Sequence, residues 1–315
     1  MNRQIKLKLR DLSHQSALFS RIYHSASRIK TNSRAGMPDE EFLKQKYLEN
    51  TGKELNLDNP QTFNEKIQWL KLHDRNPLYT TLVDKYAVKQ YVADKIGPEH
   101  VIPVIGGPWN DANEIDFKAL PEQFVLKCNH DCGSVVICTD KTKLDLFAVR
   151  EKLNKALKRN YYYVGREWPY KNVKPCIFAE QYLVDESGYE LKDYKFFCFS
   201  GEPKCMFIAT DRMKSDEETK FDFFDINFNH LPITNGHPNS VTKLVRPHRF
   251  EEMKTLAAIL SQGIPHVRID FYESGDRAIF GEMTFYHWGG CMPFDPPEWD
   301  NKLGNWINLS LVKTN

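Results

Sequence analysis

Two hydrophobic periods alternate along the chain. Apolar positions three and four apart mark helices, and apolar positions two apart mark half-buried strands. Residues 36–75 read as helical, with Thr62 and Glu65 of TFNE forming a capping box ahead of KIQWLKLH. A second helical stretch, VDKYAVKQYVADKIG, takes Asp84 as its N-cap and Gly97 as its stop. LFAVREKLNKALKRN and RFEEMKTLAAILSQG repeat the helical period, the latter ending at Gly263. Between them run segments with strand character: HVIPVIGGPW, EQFVLKCNHDCGSVVICTD, CIFAEQYLV, LKDYKFFCFSG, EPKCMFIATD and KFDFFDINF. The chain ends in a loop and a short helix, and it carries no internal repeat or low-complexity linker. The pattern is that of an α+β protein dominated by antiparallel strands.

The segment HVRIDFYESGDRAIFGEMTF reads as two strands joined at Ser274–Asp276. A three-residue loop pairs Glu273 with Arg277 and Phe271 with Ile279, leaving one face apolar. The opposite face then carries Arg268, Asp270, Phe280, Glu282 and Thr284, with Arg268 opposite Glu282. Asp270 and Glu282 become diagonal neighbours, about 7–8 Å apart. Two carboxylates so placed can share a hard divalent cation. A solvated polar face is the other reading of the same pattern.

Composition is that of an ordinary soluble protein, with 315 residues, 41% hydrophobic and 27% charged. No apolar run approaches a membrane span, and MNRQIKLKLRDLSHQ has no hydrophobic core of a secretory signal. Seven scattered cysteines suit a reducing cytoplasm rather than a disulfide framework. The net charge of +1 is uneven: residues 1–35 contribute +7 and the remainder −6. That balance argues against a nucleic-acid-binding body. The basic arm, with Ile5, Leu9 and Leu12 on one helical face, suits either solvent or peripheral contact with the inner membrane surface.

In FVLKCNHDCGSVVIC, Lys127 ends an apolar strand, where a buried amine needs an anionic partner. Gly133 and Ser134 open a loop whose amides can approach phosphates. It is not a Walker loop, and Cys128, His130 and Cys132 fit no standard zinc spacing. Glu180, Asp193 and Lys195 are expected on adjacent strands of one sheet beside this hairpin. Charges there suit a polar cleft or a solvent-facing edge.

The order DKYAVK, FVLKCNHDCGS, FAEQYL, KDYK, RIDFY and GEMTF resembles the ATP-grasp superfamily, over about residues 60–295. Within it, the chain is similar to the branch of the teichuronopeptide-biosynthesis protein TupA. The resemblance implies an ATP-grasp fold: two antiparallel-sheet α+β subdomains gripping ATP, with a helical N-terminal region. The division expected is a basic arm at 1–35, a helical subdomain at 36–110, a lid-like subdomain at 111–182 and a metal-binding subdomain at 183–315.

By the same resemblance, Lys85 matches the first phosphate-reaching lysine and Lys127 the lysine that contacts the ATP phosphates and the adenine side. Gly133 and Ser134 match the loop that closes over the phosphates. Glu180, Gln181, Tyr182 and Leu183 resemble the hinge strand that hydrogen-bonds adenine through its backbone. Asp193 sits where the family has a ribose-binding acid, Lys195 faces the nucleotide, and Arg212 is a further phosphate contact. Arg268 matches the arginine that steadies the acyl phosphate and the tetrahedral intermediate. Asp270 and Glu282 match the two magnesium-binding acids. Many members have Asn two residues after the second acid; Thr284 stands there in this chain, as in the TupA-like branch, and offers one oxygen as third ligand.

The implied activity is an ATP- and Mg2+-dependent, ADP-forming carboxylate–amine ligase. The implied substrates are a uronic-acid carboxylate of a bacterial cell-surface polysaccharide, or a peptidyl carboxylate, and an amino acid or other amine. Two other classes compete. A metal-dependent glycosyltransferase would be expected to show D-x-D, which is absent; DFFD at Asp222–Asp225 has the wrong spacing. A non-catalytic nucleotide-binding module has no need of Arg268, Asp270 and Glu282 together. The aromatics of NYYYVGREWPY suit either a sugar pocket or a core edge.

Overall fold

The computed structural model describes residues 33–186, 188, 191–211 and 218–312, so Arg212 and nearly all of the basic arm lie outside the described residues. The helices are α1 (Asp39–Thr51), α2 (Phe63–His73), α3 (Leu78–Val83), α4 (Val88–Ile96), α5 (Leu146–Leu157), α6 (Tyr162–Gly165), α7 (Phe250–Leu260) and α8 (Glu298–Trp306). The strands are β1 (Val104–Trp109), β2 (Phe124–Cys128), β3 (Val135–Cys138), β4 (Ile177–Gln181) and β5 (Asp193–Phe199). They continue with β6 (Glu202–Thr210), β7 (Lys220–Asp225), β8 (His230–Leu231), β9 (Val267–Ser274) and β10 (Arg277–Thr284). All pairings between these strands are antiparallel, in a four-stranded sheet β1-β4-β2-β3 and a six-stranded sheet β10-β9-β5-β6-β7-β8. β1 thus joins the smaller sheet, although the expected division grouped it with the preceding helices.

The expected capping box starts α2: Glu65 N donates to Thr62 Oγ1 at 3.2 Å and Thr62 N to Glu65 Oε2 at 3.0 Å. Phe63, Ile67 and Leu70 recur at helical spacing and bury the inward face of α2. Each contributes roughly 1.5–3 kcal/mol of burial; Phe63→Ala would cost about 3–5 kcal/mol. α4 begins later than its sequence suggests. The Asp84 carboxylate accepts from Tyr86 N at 2.9 Å and Ala87 N at 3.0 Å, so it caps the turn between α3 and α4. Gly97 ends α4 at φ 104°, where a side chain is strained.

β5 explains how the larger sheet is split between core and site. Every residue of DYKFFCF is buried, because the sheet is covered on both faces. Tyr194, Phe196 and Cys198 share a face with Phe271, Ile269 and Val267 of β9. α7 closes that face, with the rings of Phe196 and Phe250 5.8 Å apart. Asp193, Lys195 and Phe197 point the other way, where Phe197 meets Phe63 of α2 at 6.1 Å. In the smaller sheet, Phe124, Leu126, Ile177 and Ala179 pack with Val149, Leu153 and Ala156 of α5. Lys127 and Glu180 alternate to the opposite face.

The hairpin differs from its expected register. Gly275 and Asp276 form a two-residue turn, so Ser274 pairs with Arg277 and Phe271 with Phe280. A bulge at Gly281 then shifts the ladder, and Glu282 lies directly opposite Asp270 and Thr284 opposite Arg268. Gly275 at φ 58° permits the tight turn. Also corrected is the placement of Glu180 beside Asp193 and Lys195: Glu180 is in the smaller sheet and the other two are in the larger. The connection from β4 to β5 crosses between sheets.

Candidate active site

Register across three strands of the larger sheet builds a row of charge. Lys195 on β5 pairs with Asp270 on β9, and Asp270 with Glu282 on β10. The next row holds Phe197, Arg268 and Thr284. Lys195 Nζ donates to Asp193 Oδ1 at 3.0 Å and to Asp270 Oδ2. Arg268 grips Asp270 through Nε to Oδ1 and Nη2 to Oδ2, both at 2.7 Å. Its Nη2 also donates to Thr284 Oγ1 at 3.0 Å.

The last strut of Arg268 is His287, whose Nδ1 accepts from Nη1 at 2.7 Å. Guanidinium only donates, so the His287 proton is on Nε2, which donates to Asn235 Oδ1 at 2.8 Å. Asn235 is itself held through Nδ2 by Met292 O and Pro293 O at 3.2 and 3.1 Å. Burial, reinforced by the Arg268 charge, holds the His287 pKa well below its ordinary value, so the ring is neutral.

Asp270 is fully buried, whereas the Glu282 side chain is 38% exposed. Glu282 faces Arg268 Nη2 at 3.6 Å and Lys85 Nζ at 3.9 Å. Burial alone would raise its pKa; Lys85, Lys195, Arg268 and Lys127 outweigh that and hold it at about 2. For Lys195, burial is the dominant influence and lowers its pKa, although Asp270 opposes it.

Lys85 joins this row to the loop after β2. Its Nζ donates to Asp131 O at 2.5 Å and its amide to Asn129 O at 3.0 Å. Asn129 locks the loop from within: its Nδ2 donates to Asp84 Oδ2 at 2.8 Å and its Oδ1 accepts from Cys176 N at 2.8 Å. Ser134 Oγ donates to Asp131 Oδ2. Gly133 sits at φ 97° with open space where a Cβ would be, so backbone alone lines that edge.

Across from it, Lys127 Nζ lies 2.5 Å from Glu180 Oε2 and Lys89 Nζ 2.6 Å from Glu180 Oε1. Burial would raise the Glu180 pKa, but the two lysines hold it low. The Gln181 amide donates to Pro103 O at 3.0 Å. Of the four expected hinge residues, Tyr182 and Leu183 therefore lie beyond the paired strand.

Lys85, Lys195, Arg268, Asp270, Glu282 and Thr284 are brought together directly. Lys127 and Glu180 form a second cluster on the smaller sheet, near enough for Lys127 to act on Glu282. Lys89, Asn129, Asn235 and the strut role of His287 are additions. Only Lys89 had a sequence signal, standing one helical turn after Lys85.

The donor set fits a divalent cation held jointly with a phosphate-bearing substrate. Among the described residues no group of three or more His, Cys, Asp and Glu could cage a metal alone. Mg2+ is usually bound by one or two carboxylates plus phosphates and water. Glu282 is ionised, accessible and loosely paired. Asp270 has the right chemistry, but both of its oxygens face cationic nitrogens.

A family model described as TupA-like ATP-grasp matches residues 65–308. No curated protein matches the chain. Among solved structures, the chain is similar to an L-amino acid ligase from Bacillus licheniformis at 12% identity and TM-score 0.44, over 72% of this chain and 49% of that one. It is similar to D-alanine–D-alanine ligase from Bacillus anthracis complexed with ATP at 14% identity and TM-score 0.39, over 65% and 55%. The ATP-grasp ligase PsnB complexed with a phosphomimetic variant of its minimal precursor, Mg and ADP matches at 11% identity and TM-score 0.39, over 70% and 57%. The chain thus spans about half the length of these solved structures.

Proposed function

This chain belongs to the TupA-like ATP-grasp family, and we propose that it is an ADP-forming ligase joining a carboxylate to an amine through an acyl phosphate. The observation that carries the proposal is the row Lys195–Asp270–Glu282, with Arg268 locked beside it by Asp270, Thr284 and His287. A carboxylate is a poor acylating agent, and phosphorylation gives it a leaving group. Such transfer is assisted mainly by positioning and by charge placed where charge develops.

In this reading the amides around Gly133, with Lys85 and Lys127, bind the phosphates of ATP. Lys127 exchanges Glu180 for phosphate, and Lys89 remains to neutralise Glu180. Tyr182 and Leu183 offer backbone to adenine. Glu282 and Asp270, with Thr284, would hold Mg2+, which would supply positive charge to offset that of the ATP phosphates. The substrate carboxylate takes the γ-phosphoryl group and ADP leaves.

Arg268 acts in the second half. Four of its N–H groups are committed to Asp270, Thr284 and His287. The remaining Nη1–H is the one available to the acyl oxygen as it becomes an oxyanion. We assign the carboxylate to a uronic acid of a cell-surface polysaccharide, a reading supported by membership of the TupA-like branch alone. Among the described residues no helix is long and apolar enough to cross a membrane; contact with an anionic membrane surface is assigned to the basic arm on its sequence charge.

The test is an assay of purified protein with Mg-ATP, uronic-acid-containing acceptors and a pool of amino acids, identifying the nucleotide released. ADP and phosphate dependent on both substrates, and lost in Glu282→Gln, are expected. Release of AMP, or of UDP from a sugar nucleotide without ATP turnover, would overturn the assignment.

A further inference from the structure

One carboxylate near the site has no role in the scheme above. Glu167 follows α6, and its Oε1 lies 2.8 Å from where a Cβ of Gly165 would sit and 3.7 Å from where a Cβ of Gly289 would sit. Two glycines therefore clear space around one acid. Lys71 Nζ is 3.8 Å from the same Gly289 point, and it is held there by Gln68 Oε1 at 3.1 Å and Gly289 O at 2.8 Å. Lys71 is 1% exposed, so it stands on the interior side. Glu167 is only half-buried, and among the described residues no donor hydrogen-bonds its carboxylate.

Two tyrosines stand near Glu167 in the chain. Tyr161 and Tyr170 are half-buried and meet edge to face with centroids 5.0 Å apart. Tyr170 N donates to the backbone carbonyl of Glu167 at 3.1 Å, so the two residues share one turn. Burial raises both phenol pKa values, and the carboxylates of Glu167 and Glu282 raise them further. The chain links Glu167 to the site through Gly289, two residues after the His287 that braces Arg268.

We propose that Glu167 marks the amine subsite and receives the ammonium of a primary amine whose C–H frame lies on Tyr161 and Tyr170. A carboxylate without a donor suits an ammonium by charge-assisted hydrogen bonding, and tyrosine rings nearby in the chain add cation–π attraction. Burial raises the Glu167 pKa above its ordinary value, and the backing charge of Lys71 opposes that rise. The proposal rests on the ligase reading and adds to it. One ammonium proton passes to Glu167. The freed nitrogen lone pair forms the C–N bond, the C–O bond to phosphate breaks, and phosphate departs with that electron pair and the second proton.

The test is binding rather than turnover. Saturation-transfer NMR is recorded on the full chain with glucosamine, L-alanine, L-lysine and putrescine, each against its fully N-acetylated form. Signal is expected from at least one free amine and not from its acetylated partner. Glu167→Gln should weaken that amine ~10-fold or more, the loss expected for a hydrogen bond to a charged group, and Tyr170→Ala should weaken it too. Circular dichroism and the melting midpoint confirm that both variants fold. No signal from any free amine, equal signal from acetylated forms, or unchanged binding in Glu167→Gln would each overturn the proposal. Failure of the ligase reading is seen separately, as absence of ADP release.

Discussion

Asp270 and Glu282 face each other across one hairpin, yet their surroundings predict unequal stability consequences. Asp270 is fully buried and bonded to Arg268 through both oxygens and to Lys195 through one. Asp270→Asn leaves two buried cations short of a counter-charge, which should cost about 3–5 kcal/mol. In a chain of this size that lowers the melting midpoint on the order of 10 °C. Glu282 has a 38% exposed side chain and pairs only at 3.6 and 3.9 Å. Solvent screening limits its pairs to about 1 kcal/mol or less, despite a pKa held far down. That small term has a definite sign. The folded pKa of about 2 lies below the ordinary 4.5, so the contribution is full above pH 4.5 and is lost as pH falls towards 2. Urea denaturation of the two variants separates these values, while ADP release should fall ~100-fold or more in both if each carboxylate serves phosphoryl transfer. Equal destabilisation, or greater loss in Glu282→Gln, would refute the burial argument.

His287→Phe removes the acceptor on Arg268 Nη1 and should lower kcat ~10–100-fold through misplacement of the guanidinium. KM for ATP should move little, and His287→Asn should restore part of kcat; a change confined to KM would contradict a positioning role. Gly281→Val should destabilise by about 1–3 kcal/mol, since a Cβ would meet Asp270 O and the Tyr272 ring at 3.1 Å; a melting midpoint equal to that of the parent would count against the bulge as drawn. Gly133→Ala strains backbone at φ 97° but meets no neighbour. It should raise KM for ATP with only a small loss of stability, measured by initial rates and thermal melting.

What was legible in the sequence was local. The Thr62–Glu65 box and the Gly97 stop need only a few residues of context, and both are present. The order of helices and strands followed the apolar period. Partners distant in sequence were not legible. Glu180 and Asp193 are close in sequence, yet β4 and β5 belong to different sheets. Strand pattern alone does not reveal which edges pair. His287 reads as one more polar residue until the fold brings it to Arg268 and Asn235. Glu167 is similar, because its surroundings come from Lys71 and Gly289.

The hairpin shows how a wrong register still brought the two acids onto one face. A two-residue turn without a bulge would pair Glu282 with Ile269, whose face packs under α7. The acid would then enter the apolar core and Met283 would enter the site. The bulge at Gly281 absorbs one residue and returns Glu282 to the face of Asp270, and Met283 to that of Ile269. A three-residue loop without a bulge produces the same alternation beyond Gly281, but it would put Phe280 on the face of Asp270, whereas Phe280 lies opposite Phe271. The consequence differs in distance. Diagonal acids would stand about 7–8 Å apart, whereas directly opposed residues stand at about 4.5–5.5 Å. The shorter spacing lets Lys195, Asp270 and Glu282 form one continuous row, with Arg268 moved from opposite Glu282 to its diagonal. Glycine supports this arrangement at both ends, by positive φ at Gly275 and by close approach to Asp270 O at Gly281.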